Sequence, residues 1–136
     1  MVTKTSSPEH VARTFASATA SGDVDIMQQL LADDATWWIP GELPVSGTWT
    51  GHDEIFGRMF ATAGQHIAEG TLKIEVSKAI ADESHCVLLW QAQAESVHGH
   101  RYSNQYCMVF EVRDGKIVSV REYIDTAPAK RALFPA

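Results

Sequence analysis

A chain of 136 residues is the size of one domain and can bury a core without disulfides or a structural metal. Its 45 % hydrophobic and 21 % charged residues are those of an ordinary globular protein. A net charge of −6 and the lack of a basic stripe with interleaved aromatics argue against nucleic acid as a partner. No apolar run approaches the length of a membrane span. The opening Met1-Val-Thr-Lys-Thr-Ser-Ser-Pro8 lacks the apolar core of a secretory signal, so a cytoplasmic, reducing setting is expected. Cys86 and Cys107 fall in strand-like segments without a CxxC spacing and read as small buried hydrophobes.

Ser6-Ser7-Pro8-Glu9 reads as a helix start, with serine capping the free amides and proline in the first turn. Val11, Ala12, Phe15, Ala16, Ala18 and Thr19 form an apolar stripe at helical spacing that Ser21-Gly22-Asp23 stops. Asp23 is placed to cap a short second helix through Ile26, Met27, Leu30 and Leu31. Ala35-Thr-Trp-Trp-Ile-Pro40 is strand-like and ends at the proline, and the pleat sends one of its two tryptophans to each face. Residues 41–47 form a loop, Thr48-Trp49-Thr50 a short strand, and Gly51-His52-Asp53-Glu54 opens a third helix carried by Ile55, Met59, Phe60 and Ala63 that ends near Gly64.

From Thr71 the period changes to two. Leu72, Ile74 and Val76 alternate with polar residues in one strand, and Cys86–Glu95 forms the next. His98-Gly99 turns that strand into a hairpin centred on Asp114-Gly115, a pair suited to a two-residue turn with positive φ at both positions. The length of the His98-Gly99 turn leaves open whether Trp90 or its neighbours Leu89 and Gln91 face inward. An unbroken register from Asp114-Gly115 pairs Arg113 with Lys116, Val112 with Ile117, Phe110 with Ser119, Met108 with Arg121, Tyr106 with Tyr123 and Asn104 with Asp125, all on one face. That face grades from apolar near the turn to a polar cluster of Asn104, Tyr106, Arg121, Tyr123 and Asp125, as a pocket wall would. A single β-bulge would send half of these residues to the other side. The opposite face carries Val109, Val120 and Ile124, an apolar patch that needs a cover and predicts a homodimer through the outer sheet face.

The order of elements predicts an α+β fold with helices packed on one face of a curved antiparallel sheet. Trp37-Trp-Ile-Pro-Gly-Glu-Leu-Pro-Val-Ser-Gly-Thr-Trp-Thr-Gly-His-Asp-Glu-Ile55 resembles a segment of SnoaL-like proteins, within the nuclear transport factor 2-like superfamily. Asn104-Gln-Tyr-Cys107 and Asp114-Gly-Lys-Ile-Val-Ser-Val-Arg-Glu-Tyr-Ile-Asp-Thr126 are similar to the closing strands of the ketosteroid-isomerase-related branch. The resemblance implies a single SnoaL-like domain over residues 1–136: a cone-shaped, cystatin-like roll with three N-terminal helices on the concave face. It also implies a small hydrophobic molecule in the cone. Isomerases, cyclases, epoxide hydrolases and non-catalytic binding proteins all share this frame.

By that resemblance Asp125 takes the place of the acidic residue that acts as general base in SnoaL-like cyclases, and the family's histidine partner has no match. Ketosteroid isomerase surrounds an enolate oxygen with a tyrosine and a protonated aspartic acid beside its aspartate base. Limonene-epoxide-hydrolase-like relatives set an arginine between two acids. Here Arg121, Asp125, Asn104 and Tyr106 give part of such a set, with Glu95 the candidate for the missing acid. The expected site therefore has Asp125, Tyr106 and Asn104 in the chemistry. Trp38, Trp49, Trp90, Tyr123, Arg121, Met108 and Phe60 are expected around the substrate. The structural alternative is that Asp125 caps the turn at Thr126-Ala-Pro128 and pairs with Arg121.

No cofactor is expected. His98-Gly-His100 has ligand-like spacing without further ligands, His52 reads as a surface residue at a helix start, and no Ser-His-Asp order, HExxH or phosphate-binding glycine loop appears. The two readings carried forward are a cofactor-independent isomerase, cyclase or hydrolase acting through an Asp base, and a binding protein that holds a hydrophobic ligand unchanged.

Overall fold

The computed structural model describes residues 7–135, so Ser6, the Met1 segment and Ala136 lie outside the described residues. Helices α1 (Pro8–Ser21) and α2 (Val24–Leu30) lead into strand β1 (Leu31–Ile39) and the short β2 (Gly47–Thr50). Helix α3 (residues 51–64) is α-helical over Gly51–Glu54 and Ala61–Gly64 and π-helical over Ile55–Phe60. Strands β3 (Lys73–Ala81), β4 (His85–Glu95), β5 (Arg101–Arg113) and β6 (Lys116–Ile124) follow, and helix α4 (Thr126–Ala132) closes the described chain. No helix among the described residues is long and apolar enough to cross a membrane.

The expected helix signals act as the sequence indicates. Ser7 Oγ accepts the His10 N–H at 3.2 Å, and Gly22 ends α1 in the left-handed conformation at φ 74°. Asp23 Oδ1 accepts the Ile26 N–H and starts α2. At α3 the Glu54 carboxylate reaches back to accept the Thr50 N–H at 2.8 Å and so satisfies the amide of the N-cap residue. The π turn sets Phe56 and Phe60 stacked at 5.6 Å on one side of the helix.

The six strands form one sheet in the order β2-β1-β6-β5-β4-β3. β3 to β6 make the expected antiparallel meander, whereas β1 joins it parallel to β6. Helices α1 and α3 supply the buried side chains Val11, Phe15, Ile55 and Met59 that meet Leu88, Met108, Phe110 and Val120 from the sheet. Phe15 touches both Trp37 (5.8 Å) and Phe110 (6.1 Å), which joins α1 to β1 and β5.

The turn is as expected: Asp114 and Gly115 both have positive φ, and Arg113 faces Lys116 and Val112 faces Ile117. Beyond that pair the register differs from the unbroken one. Glu111 faces Ser119, Phe110 faces Val120, Met108 faces Glu122 and Tyr106 faces Ile124, so Val118 is an extra residue in β6. The bulge reverses the pleat of every later β6 residue. Val120, Glu122 and Ile124 turn inward, and Ser119, Arg121 and Tyr123 turn outward. The irregularity recurs in β1, where Leu31 faces Ile117 and Thr36 faces Ser119.

The outer patch expected from Val109, Val120 and Ile124 is corrected accordingly. Val120 is a core residue and Ile124 lines the interior, which leaves Val109 alone of the three outside. The five-residue connection 96–100 places Trp90 opposite Tyr106, on the inner face. A Cβ on Gly41 (φ 86°) would come within 2.8 Å of Thr126 Cγ2, so the loop after β1 lies tight against the start of α4.

Phe110 is fully buried between α1 and the sheet. Phe110→Ala is expected to lower stability by about 3–5 kcal/mol, read as a fall in the urea midpoint at unchanged slope.

A buried carboxyl in an apolar cavity

Between the inner sheet face and the helices lies a cavity of about 490 Å3. Its walls come from all parts of the fold: Met27 of α2, Phe56 and Phe60 of α3, Leu72 and Ile74 at β3, and Leu133 and Phe134 after α4. Exposed Gly22, Val24, Ala61 and Gly64 also belong to the lining and place its opening between the α1–α2 turn and the end of α3. The polar groups among these walls are few, and apart from Thr19 of α1 they gather on β5, β6 and the neighbouring strands.

Glu122 is the carboxyl among them. It projects from β6 between Val120 and Ile124, with Met108 opposite it on β5. Its Oε1 accepts the indole N–H of Trp37 at 3.1 Å. Although part of its surface faces the cavity, its surroundings are apolar, and this desolvation pushes its pKa up from 4.5 to about 7 against the opposing effect of the Trp37 bond. The group is therefore poised between acid and base at neutral pH.

Beside it runs a hydroxyl chain. Asn104 Nδ2 donates to the backbone carbonyl of Asp125 and to Tyr102 Oη, both at 2.9 Å, while its Oδ1 accepts the Gln105 N–H. These three partners fix the orientation of the amide. Tyr102 and Tyr106 share a short hydroxyl bond of 2.6 Å. Tyr102 is 1 % exposed and its oxygen accepts from Asn104; within the pair one hydroxyl donates to the other, and the remaining O–H has no protein acceptor among the described residues. Both tyrosines line the cavity, so the pair offers one free O–H to it. Burial raises the pKa of both phenols, most strongly that of Tyr106, and the Glu122 charge adds to the effect, so both stay protonated donors. Trp90 lines the cavity beside Tyr106, with ring centroids 5.7 Å apart, and its Nε1–H has no acceptor among the described residues.

The structure thus brings together Tyr106, Met108, Phe60 and Trp90 of the expected set. Asn104 is buried one layer behind, saturated by protein partners rather than open to a ligand. Arg121, Tyr123 and Trp38 lie on the outer face, because the Val118 bulge and the pleat of β1 turn them away. There the Arg121 guanidinium stands 4.3 Å over the Trp38 ring and its Nε donates to Tyr123 Oη. Of the adjacent tryptophans it is Trp37 that faces inward. Trp49 donates its Nε1–H to the Val45 carbonyl and sits under Arg58.

Asp125 is exposed, and its Oδ1 accepts the Ala127 N–H as the N-cap of α4. It does cap the turn, but Arg121 pairs with Tyr123 instead. Glu95, the candidate second acid, is exposed on β4, and His52 binds the Leu31 carbonyl at 2.9 Å. No three His, Cys, Asp or Glu side chains gather as a metal site among the described residues.

Glu122 is the residue that the unbroken register misses. A signal for it exists in the sequence: Ile117 and Val120, both apolar, cannot share a face of a regular strand. Their spacing marks a phase break that makes Val120-x-Glu122-x-Ile124 the inward series.

The sequence profile of the SnoaL-like domain matches residues 11–120. No curated protein matches the chain. Among solved structures, an NTF2-like protein of unknown function from Burkholderia pseudomallei K96243 is 23 % identical, with a TM-score of 0.84 over 94 % of this chain and 98 % of that one. An NTF2-like protein from Burkholderia xenovorans LB400 is 25 % identical, with a TM-score of 0.75 and 98 % of both chains covered. TerC, co-crystallised with polyporic acid, is 17 % identical, with a TM-score of 0.82 over 94 % of this chain and 98 % of its own. With the profile covering most of its length and the curved sheet and helices shared with NTF2-like structures, this chain belongs to the SnoaL-like domain family.

Proposed function

We propose that the protein is a cofactor-independent acid–base enzyme acting on a small apolar carbonyl compound, with Glu122 as the proton acceptor. The observation that carries this reading is a carboxyl on the wall of an otherwise apolar cavity, beside a tyrosine pair one of whose O–H groups no described protein group accepts; burial there pushes the carboxyl's pKa up to about 7. The reaction has a simple balance. Glu122 takes a proton from the carbon next to the carbonyl, the C–H electron pair becomes the C=C bond of an enolate, and the carbonyl π pair moves to oxygen. Tyr106 donates its hydrogen bond to that oxygen, with Tyr102 and Asn104 holding its direction. In a β,γ-unsaturated substrate the electron pair extends over the second C=C, and return of the proton to its far carbon gives the conjugated isomer. Attack of the enolate carbon on a second carbonyl of the same molecule, with the Glu122 proton passing to the resulting alkoxide, gives a ring. In this reading Glu122 takes the part expected of Asp125.

The low polarity of the walls favours an uncharged substrate, since an anion would meet the ionised Glu122 in a poorly screened space. The same apolar lining supports the second reading, a binding protein for a hydrophobic ligand.

Deuterium exchange at the activated carbon of 2-tetralone, followed by proton NMR in D2O, tests the proposal. The protein is expected to accelerate exchange, with a rate that rises with pH and levels off above about 7 as Glu122 ionises. Glu122→Gln is expected to lower the rate by roughly 10²–10⁴-fold. Tyr106→Phe is expected to lower it further from the wild-type value than Asp125→Asn, which should leave it unchanged. Equal rates for wild type and Glu122→Gln would sink the role of Glu122, and tight binding of the ketone without exchange would favour the binding protein.

The same group makes stability depend on pH. A carboxyl whose pKa is higher folded than unfolded contributes its full stability below the unfolded value of 4.5 and loses it as pH rises to about 7. The loss is on the order of 3 kcal/mol. Unfolding free energies from urea titration at pH 4.5 and pH 8 should differ by this amount more in wild type than in Glu122→Gln.

A further inference from the structure

We infer that Trp37 is the positioning residue of Glu122: its indole N–H holds Oε1, so that Oε2 alone faces the cavity and exchanges the proton with the substrate. This rests on the reading of Glu122 as the base. The geometry is local and rigid. Trp37 lies on β1 beside Val120 of the parallel strand β6, one inward position from Glu122. Its Nε1 is 3.1 Å from Oε1, and among the described residues no other donor reaches the carboxyl. The ring is 2 % exposed and is wedged between Phe15 at 5.8 Å and Phe60 at 5.1 Å, so it has no room to swing away. A bond to one oxygen also stops rotation of the carboxyl about its last torsion, and this leaves a single oxygen to meet the substrate.

The chemical type of the donor matters as much as its place. A hydrogen bond to a carboxylate is stronger than one to the neutral acid, so Trp37 favours the ionised form and works against burial. Without any donor the desolvated carboxyl would hold its proton through the neutral range and would be a poor acceptor. An arginine or lysine in the same place would hold it fully ionised and lower its basicity. A neutral indole N–H sits between these extremes: it orients the base and ionises it in part, and adds no charge to the cavity.

Two isotope labels test this in the free protein. With ¹⁵N-labelled tryptophan, the Trp37 indole proton is expected to move downfield as pH rises, with the same midpoint as the Glu122 carboxyl seen by ¹³C-labelled glutamate. In Glu122→Gln that movement should vanish. In Trp37→Phe the Glu122 midpoint is expected to rise by roughly one pH unit, and the rate–pH profile of ketone exchange should move by the same amount. An indole resonance that stays flat through the Glu122 titration, or a Glu122 midpoint unchanged in Trp37→Phe, would overturn the inference. If Trp37→Phe does not fold, the indole titration in wild type decides alone. A coupled titration in a protein that exchanges no ketone proton would leave Trp37 as the partner of Glu122 and would count against the enzymatic reading only.

Discussion

Opposite Glu111 and Val112, strand β6 carries one residue more than β5, and after Val118 the pleat runs in the opposite phase. The carboxyl in the cavity depends on that slip. Side chains of a strand alternate with a period of two, so a displacement of one residue exchanges the two faces completely. Here it brings Glu122 between Val120 and Ile124 on the inside and places Arg121 and Tyr123 outside with Trp38. The bulge also adds twist and bend to β6, which curves the sheet around the helices. The apolar side chains explain why this register holds. In the unbroken one, Val120 and Ile124 would face outward and Arg121 would enter the core.

A carboxyl brought inside by packing then acquires its chemistry from its surroundings. Met108, Ile124 and Phe60 offer it nothing to bind, and water-poor walls disfavour its charge. The neutral indole of Trp37 restores part of the ionised form. The resulting balance has a cost in stability that is greatest once the group is ionised. Sites that hold a half-ionised acid in an apolar space commonly carry such a cost, and the fold offsets it with the aromatic packing of Phe15, Trp37, Phe60 and Phe110 around the cavity.

The hydroxyl chain works by a different means. Asn104 is an unfavourable residue for a strand interior, and its place there is accounted for by three hydrogen bonds that leave it no freedom. Its bond to the Asp125 carbonyl ties the end of β6 to β5, next to the point where Asp125 caps α4. Its bond to Tyr102 anchors one end of the Tyr102–Tyr106 hydroxyl pair. A residue expected to touch a ligand instead stands behind the residues that line the cavity, where it holds the tyrosine hydroxyl pair in place.

Much of this protein is legible in its sequence because the signals are local. Ser7-Pro8, Asp23, Pro40 and Asp114-Gly115 act within a few residues of themselves, so the first three helices, the meander and its turn follow from the chain alone, as does the inward series Asn104, Tyr106, Met108 and Phe110 on β5. The segment after Asp125 reads only as a turn, whereas it forms helix α4. The SnoaL-like character is likewise carried by short motifs. The identity of the cavity carboxyl is not local in that sense. Asp125 and Glu122 are three residues apart, and which of them enters the cavity turns on whether one extra residue is tolerated in β6. That was decided by the match between the β6 side chains and a core built by α1, α3 and β1, and by the parallel pairing of β1 with β6. The pattern Ile117…Val120 records the slip, but only tertiary packing gives it a direction, because a phase break has no inside or outside until the other layer is in place.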